Sequence, residues 1–276
     1  MNGEKQGMQS RVKNAGRYRW ALTCGVGVCA LALSIATHAD SAVPDSAAQP
    51  PPTAGFATVL DAWLGFPGLA ATDSPYTYLR ADQTAENTRI RRQDLDRELD
   101  DLRWRLEAGG YAGFVQAVDQ WKTQLAAIRV FREPGDWGPA WLMANPHRNP
   151  PIDRIAAIGA CSTPDWVEVW SGQGIQRTPW RTDLMLSDLA DSGVMNTRGV
   201  RVVSVVAPDG QVRRLGQAAD NYADTELLPG ARVVVPLPLN GEAFPWIRDA
   251  IARILAHAPS GQDCTEMRFA QTGAPQ

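Results

Sequence analysis

Histidine is nearly missing from this 276-residue chain: His38, His147 and His257 are all there is, and no two stand at ligand spacing on one helix. That excludes zinc held by the usual pair of helical histidines, and no other metal set or cofactor motif takes its place. Neither a nucleophile elbow nor a phosphate-cradling glycine loop is found; "SGQG" at Ser171 to Gly174 reads as a loop or strand end. His257 closes an apolar stripe, so it is expected against helix C-terminal carbonyls rather than a substrate. Past residue 42, Lys122 is the only lysine, a scarcity that genomic base composition explains, and no apolar run is long enough to cross a bilayer.

The first forty residues read as an export leader. Arg11, Lys13, Arg17 and Arg19 precede an apolar run from Trp20 to Ala36, followed by the small residues "THADSA". That layout predicts a signal peptide over residues 1–42, cut after Ala39 or Ala42; the alternative is an uncleaved anchor, since 17 apolar residues approach the roughly 20 needed to span a bilayer. Neither Cys24 nor Cys29 follows the small residue that lipidation requires. Without the leader, 22 Lys and Arg face 28 Asp and Glu, a balance of −6 that argues against nucleic acid and against a broad cationic surface. Cys161 and Cys264 are then the only cysteines, and an oxidising compartment favours a bridge between them over two free thiols.

Residues 43–55, rich in Ala, Ser, Pro and Gln, predict a flexible tether. A short helix near Thr58 to Leu64 and a strand at Tyr76 to Leu79 follow. Leu95, Leu99, Leu102 and Leu106, with Ile90, recur at helical spacing; Gly109 and Gly110 end that run. A second stripe runs through Tyr111, Phe114, Val118, Trp121, Leu125 and Ile128. Together they predict an antiparallel helical hairpin over about residues 83–130. Asn145 to Ile152, "NPHRNPPI", reads as an extended connector.

Beyond it the period changes to two. "WVEVW" at Trp166 to Trp170, "VRVVSVV" at Val200 to Val206, "QVRRL" at Gln211 to Leu215 and "RVVVP" at Arg232 to Pro236 predict strands, the middle two joined by a turn at Pro208-Asp209-Gly210. Between the first two strands "TDLMLSDLADSG" predicts a helix capped by Thr182 or Asp183 and stopped by Gly193. A last helix starts at Pro245, with Trp246, Ile247, Ala250, Ile251, Ile254 and Leu255 on one face and Arg248, Asp249 and Arg253 on the other. Strand, helix, then more strands is an α+β order.

Ten tryptophans are the main resource for gripping sugars or a partner. Alternation puts Trp166, Glu168 and Trp170 on one face of their strand, opposite Val167 and Val169, so these two rings are expected to be partly exposed. The acidic run from Asp94 to Asp101 reads as the wet side of a helix, not as a carboxylate pair in a cleft.

The helical hairpin, then "MANPHRNPPI", "APDGQVRRL", "LLPGARVVVPLP" and "IRDAIARILAHA" together resemble the periplasmic capsule biosynthesis GfcC-like family, over about Leu60 to His257. The resemblance implies two β-grasp (SLBB-like) domains, over residues 56–152 and 153–240, the first incomplete or interrupted by the hairpin, and an amphipathic C-terminal helix within 241–276. It implies a non-catalytic periplasmic role in capsule or exopolysaccharide assembly and export, with a polysaccharide or an outer-membrane polysaccharide export protein as partner. A free sheet face would meet that partner. The family's arginine after the hairpin matches Arg132 in "RVFREPG", with Arg129 one register away; its guanidinium would bind sugar hydroxyls or a carboxylate, or else pair with a hairpin carboxylate. The family's Tyr-Trp-Asn element survives only loosely, at Asn221 and Tyr222. The competing expectation is a carboxylate-dependent glycan-modifying enzyme, with two acidic groups facing one cleft. A third reading docks the terminal helix on a membrane or a partner instead of its own sheet.

Overall fold

The computed structural model describes residues 55–70, 72, 74–237, 239 and 245–269; the expected leader, nearly all of the tether and the last residues lie outside the described residues. Helix α1 (Val59–Gly65) starts where Thr58 and Asp61 form a reciprocal capping box, one residue from its expected place, and a short α2 (Pro67–Ala70) follows. Strand β1 (Thr77–Arg80) leads into the helical hairpin, α3 (Asp82–Ala108) and α4 (Ala112–Ala127). Leu95, Leu99, Leu102 and Leu106 are buried against Val118, Trp121 and Leu125, as the spacing predicted, whereas Ile90 and Tyr111 stay exposed near the two ends of α3. Across the seam Arg103 pairs with Asp119 at 2.8 Å, and Lys122 reaches both Asp96 and Asp100. Burial opposes the Lys122 charge, but those carboxylates outweigh it and raise its pKa.

The connector is turned rather than extended. Helix α5 (Pro139–Ala144) and two 3₁₀ turns, Pro146–Arg148 and Ile152–Arg154, occupy it. Pro139 and Pro146 sit at first helical positions, where a missing N–H costs nothing. Leu142 then packs with Val59, Trp63, Leu79 and Ile158 in a small core.

Two strands that periodicity did not announce complete a three-stranded antiparallel sheet: β2 (Ala157–Ser162) lies between β1 and β8 (Gln262–Arg268). The sheet thus takes β2 from past the boundary expected at residue 152, and β8 from the expected tail. Its pairing places Cys161 beside Cys264, and the two form a disulfide.

The second sheet has five strands. In chain order they are β3 (Trp166–Ser171), β4 (Gly174–Pro179), β5 (Val202–Val206), β6 (Val212–Gly216) and β7 (Arg232–Val234); in space the order is β4-β3-β7-β5-β6. Every neighbouring pair is antiparallel except β3 and β7. Between β4 and β5 lies α6 (Leu186–Asp191), whose start is held by the Asp188 carboxylate accepting the Met185 N–H, not by Thr182 or Asp183.

Neither face of this sheet is free. Val167, Val169, Val203, Val205 and Val233 pack under α6 through Leu186 and Leu189. Trp170, Val206 and Val234 face the other way, into a core with the hairpin leucines, Trp121, and Ile247, Ile251 and Leu255 of α7 (Pro245–Ala256). The hairpin and α7 therefore cover the face expected to be open, because each side chain so buried contributes about 1.5–3 kcal/mol. The terminal helix accordingly packs on its own fold. Two of its residues depart from the expected faces: Trp246 is exposed, and Arg248 is buried with its guanidinium on the Val202 carbonyl and on Asp249.

The disulfide closes a loop of 103 residues. Cys264→Ser, or reduction, is expected to cost about 2–4 kcal/mol of unfolding free energy, read from urea midpoints with and without reductant. An unchanged midpoint would show that the three-stranded sheet does not need its covalent tie.

Candidate functional site

Arg132 follows the hairpin and is 1% exposed. Its backbone N–H donates to the His257 carbonyl at 2.7 Å, its own carbonyl accepts from His257 Nδ1 at 2.9 Å, and its Nη2 donates to the Pro208 carbonyl. This corrects both readings of the arginine: it neither faces a ligand nor pairs with a hairpin carboxylate. Burial first, then the nearby Arg232 charge, push its pKa down to about 9, and its Nε has no partner among the described residues. The His257 imidazole likewise engages a neighbouring segment, while its backbone N–H donates to the Ile254 carbonyl of its own helix.

The β5–β6 turn is the other half of this junction. Gly210 has φ +86°, and a Cβ there would meet the Ala256 carbonyl, Pro134 and Arg132 Nη2. Gly135 N–H donates to the Asp209 carbonyl at 2.7 Å. The turn is therefore inserted between the segment after the hairpin and the end of α7.

The Trp166–Glu168–Trp170 face is buried, not partly exposed: Trp166 is 8%, Glu168 2% and Trp170 0% accessible. Shared facing was right, but the face is covered, over Trp170 by the hairpin and over Trp166 by Arg177. Glu168 accepts from Trp170 Nε1 at 2.7 Å and from Arg177 Nε at 2.9 Å, and lies 3.8 Å from Arg232 Nε. The Arg177 guanidinium stacks over the Trp166 ring at 4.4 Å.

A cleft of about 560 Å³ opens beside this group, between α4 and the β3–β4 hairpin. Asp119, Gln120, Thr123 and Gln124 line it from α4; Glu168, Ile175 and Arg177 line it from the sheet. Gln120 Oε1 accepts the Ile175 N–H at 3.1 Å and closes one end. That approach requires Gly174, at φ +100°, since a Cβ would collide with the same oxygen. Amide, hydroxyl and guanidinium groups give a polar surface suited to hydroxyl-rich ligands, with the Trp166 ring covered by Arg177. Two carboxylates do share the cleft, as the enzyme expectation required, but Glu168 is held by two N–H donors with the Arg232 guanidinium nearby, and Asp119 by Arg103.

The four residues singled out from the sequence are not brought together. Trp170 lies in the core, Arg132 at the turn junction, and Trp166 beneath Arg177. Tyr222 is 55% exposed past the far edge strand, its hydroxyl donating to Asp224. The cleft residues were missed although a signal existed: the outer face of α4 carries uncharged Gln120, Thr123 and Gln124 amid ion pairs. Among the described residues no group of three or more His, Cys, Asp and Glu is arranged for a metal. No protein-family model matches this chain, and no curated protein does.

Glu168→Ala leaves the Arg232 charge buried without its carboxylate, so a loss of about 3–5 kcal/mol is expected in denaturant titration, against about 1 kcal/mol or less for the exposed partner in Arg177→Ala. Equal losses would contradict this ordering.

His257 makes a second prediction. Burial, with Arg91 and Arg132 nearby, lowers its pKa below 6.5 despite the Arg132 carbonyl and Glu133. A depressed folded value means that the unfolded chain takes up the proton first, so stability is full above about pH 6.5 and falls as pH drops through the folded value. Urea midpoints at pH 7.5 and 5.5 should show this fall, and His257→Gln should flatten it.

Proposed function

We propose that this chain is an exported, non-catalytic accessory protein of capsule or exopolysaccharide assembly and export, of the GfcC-like type, working in the periplasm on a glycan, an outer-membrane export protein, or both. The observation that carries the reading is the topology of the five-stranded sheet. A hairpin, a crossing helix, a second hairpin and a last strand set centrally beside the first is the layout a β-grasp domain requires, and a long helical hairpin lies against it. The three-stranded sheet supports a reduced first domain. The disulfide supports an oxidising compartment, and no helix among the described residues is long and apolar enough to cross a membrane.

In this reading the α4–β4 cleft holds sugar hydroxyls through Thr123, Gln124 and Arg177. A carboxylate-dependent enzyme is the second reading, favoured by Asp119 and Glu168 lining the same cleft. Its difficulty is chemical: a carboxylate fixed by two N–H donors and a nearby guanidinium is poorly placed to give up or take a proton.

Affinity electrophoresis through gels containing the host's own exopolysaccharide separates the two. Binding predicts retardation that weakens in a Thr123→Ala/Gln124→Ala variant, with polymer length unchanged by size exclusion. Release of new reducing ends that stops in Glu168→Gln would overturn the binding role in favour of the enzyme. Absence of both retardation and co-purification with an export protein would overturn it outright.

A further inference from the structure

A second cleft, of about 460 Å³, lies where the start of α3 meets the end of α4. Four arginines line it: Arg80, Arg89, Arg92 and Arg129. In a chain whose formal charge is −3, this is a local reversal of sign. Two of the four are already spent. Arg80 binds Glu266 at 3.0 Å, and Arg89 binds Glu86 at 2.6 Å. Arg92 has no carboxylate: its Nη1 donates to the Ile128 carbonyl at 2.8 Å, and its guanidinium lies 5.4 Å from the centre of the Phe131 ring. Arg129 is exposed and makes no hydrogen bond or ion pair among the described residues.

Charge and shape together define what the cleft takes. Glu86 holds Arg89, and Glu266 is shared by Arg80 and Arg268, so with Asp82 three carboxylates meet five guanidiniums and positive charge is in excess. An excess of positive charge suits an anion, and apolar lining beside it suits an anion carried on a ring rather than free phosphate. The Arg92 fork is held in place before any ligand arrives, by a backbone carbonyl on one side and a ring on the other, which reduces the ordering cost of a two-point carboxylate contact. Between the charges the partly exposed lining is apolar, from Ala85 and Ile128, with the buried Phe131 ring beneath Arg92. The volume is within the range of small-ligand pockets, about 300–1,000 Å³.

We propose that this cleft is a binding site for a carboxylate carried on a sugar ring, as in a hexuronic acid, with Arg129 and Arg92 gripping the carboxylate and Ala85 and Ile128 supporting the ring. It rests on the reading that the protein handles a glycan, and adds to it the charge of one sugar and a site distinct from the α4–β4 cleft.

Calorimetric titration of the full chain tests it with three probes: hexagalacturonate, neutral maltohexaose and inorganic phosphate. The expected result is that hexagalacturonate binds, that Arg129→Glu weakens it at least tenfold, and that added salt weakens it too, while maltohexaose and phosphate do not compete for the site. Arg129 is exposed and makes no hydrogen bond or ion pair among the described residues, so the variant should keep the wild-type urea midpoint. Thr123→Ala/Gln124→Ala should leave hexagalacturonate affinity unchanged. Binding insensitive to Arg129→Glu, or phosphate binding as tight and as sensitive to that change, would overturn the proposal. So would no hexagalacturonate binding; if the host polysaccharide still retards the protein through the α4–β4 cleft, the glycan role survives and the acidic-sugar site alone falls.

Discussion

One buried guanidinium holds the main body of this protein in register. Arg232, on the central strand β7, reaches the end of α7 and donates to the carbonyls of Leu255 and Ala258 at 3.3 Å each, to that of Pro259 at 2.7 Å, and to Ser260 Oγ at 3.2 Å. A cation at a helix C-terminus meets carbonyls that have no intrahelical partner, so the contact satisfies both the charge and the orphan acceptors. Burial disfavours the charge and lowers the Arg232 pKa; the Glu168 carboxylate opposes that. With α7 fixed at this end, its isoleucines meet the sheet and the helical hairpin, and His257 falls against Arg132.

Arg132 extends the same device by one step. Its guanidinium clamps the Pro208 carbonyl and its backbone pairs with His257, so the β5–β6 turn, the exit from the helical hairpin and the end of α7 form one knot. The two buried arginines repel each other, and Asp209 and Tyr78 offset part of that cost at Arg132. Two cations in one interior are expensive, and here each is spent chiefly on backbone carbonyls that irregular segments would otherwise leave unsatisfied. Charge inside this protein serves construction, and the polar surfaces proposed for recognition lie outside it: the amide-lined flank of α4 and the arginine-lined start of α3.

Much of the architecture was readable from residue spacing. The leucines of α3, the alternating valines of β5 and the turn at Pro208-Asp209-Gly210 each state a local period or a backbone requirement that folding did not override. The bridge between Cys161 and Cys264 followed from there being two cysteines past the expected leader. Strands β2, β4 and β8 escaped because their sequences, "AIGACS", "GIQRTP" and "QDCTEMR", lack a run of β-branched residues; pairing partners distant in the chain make them strands. The candidate site was read less well. Alternation placed Trp166, Glu168 and Trp170 correctly on one face, yet the hairpin buries Trp170 and Arg177 covers Trp166, and the resemblance that marked Arg132 for binding said nothing of the turn that encloses it.

What the sequence by itself determined is therefore local and periodic: which segments coil, which extend, where the chain turns, and which side chains share a face. Tertiary structure decided what each face meets. The same alternation serves a wet surface or a core, and an arginine has the same chemistry at a sugar or a helix end. The choice depends on elements far apart in the chain covering one another, because solvent exclusion is a property of the assembled layers and not of any one strand or helix.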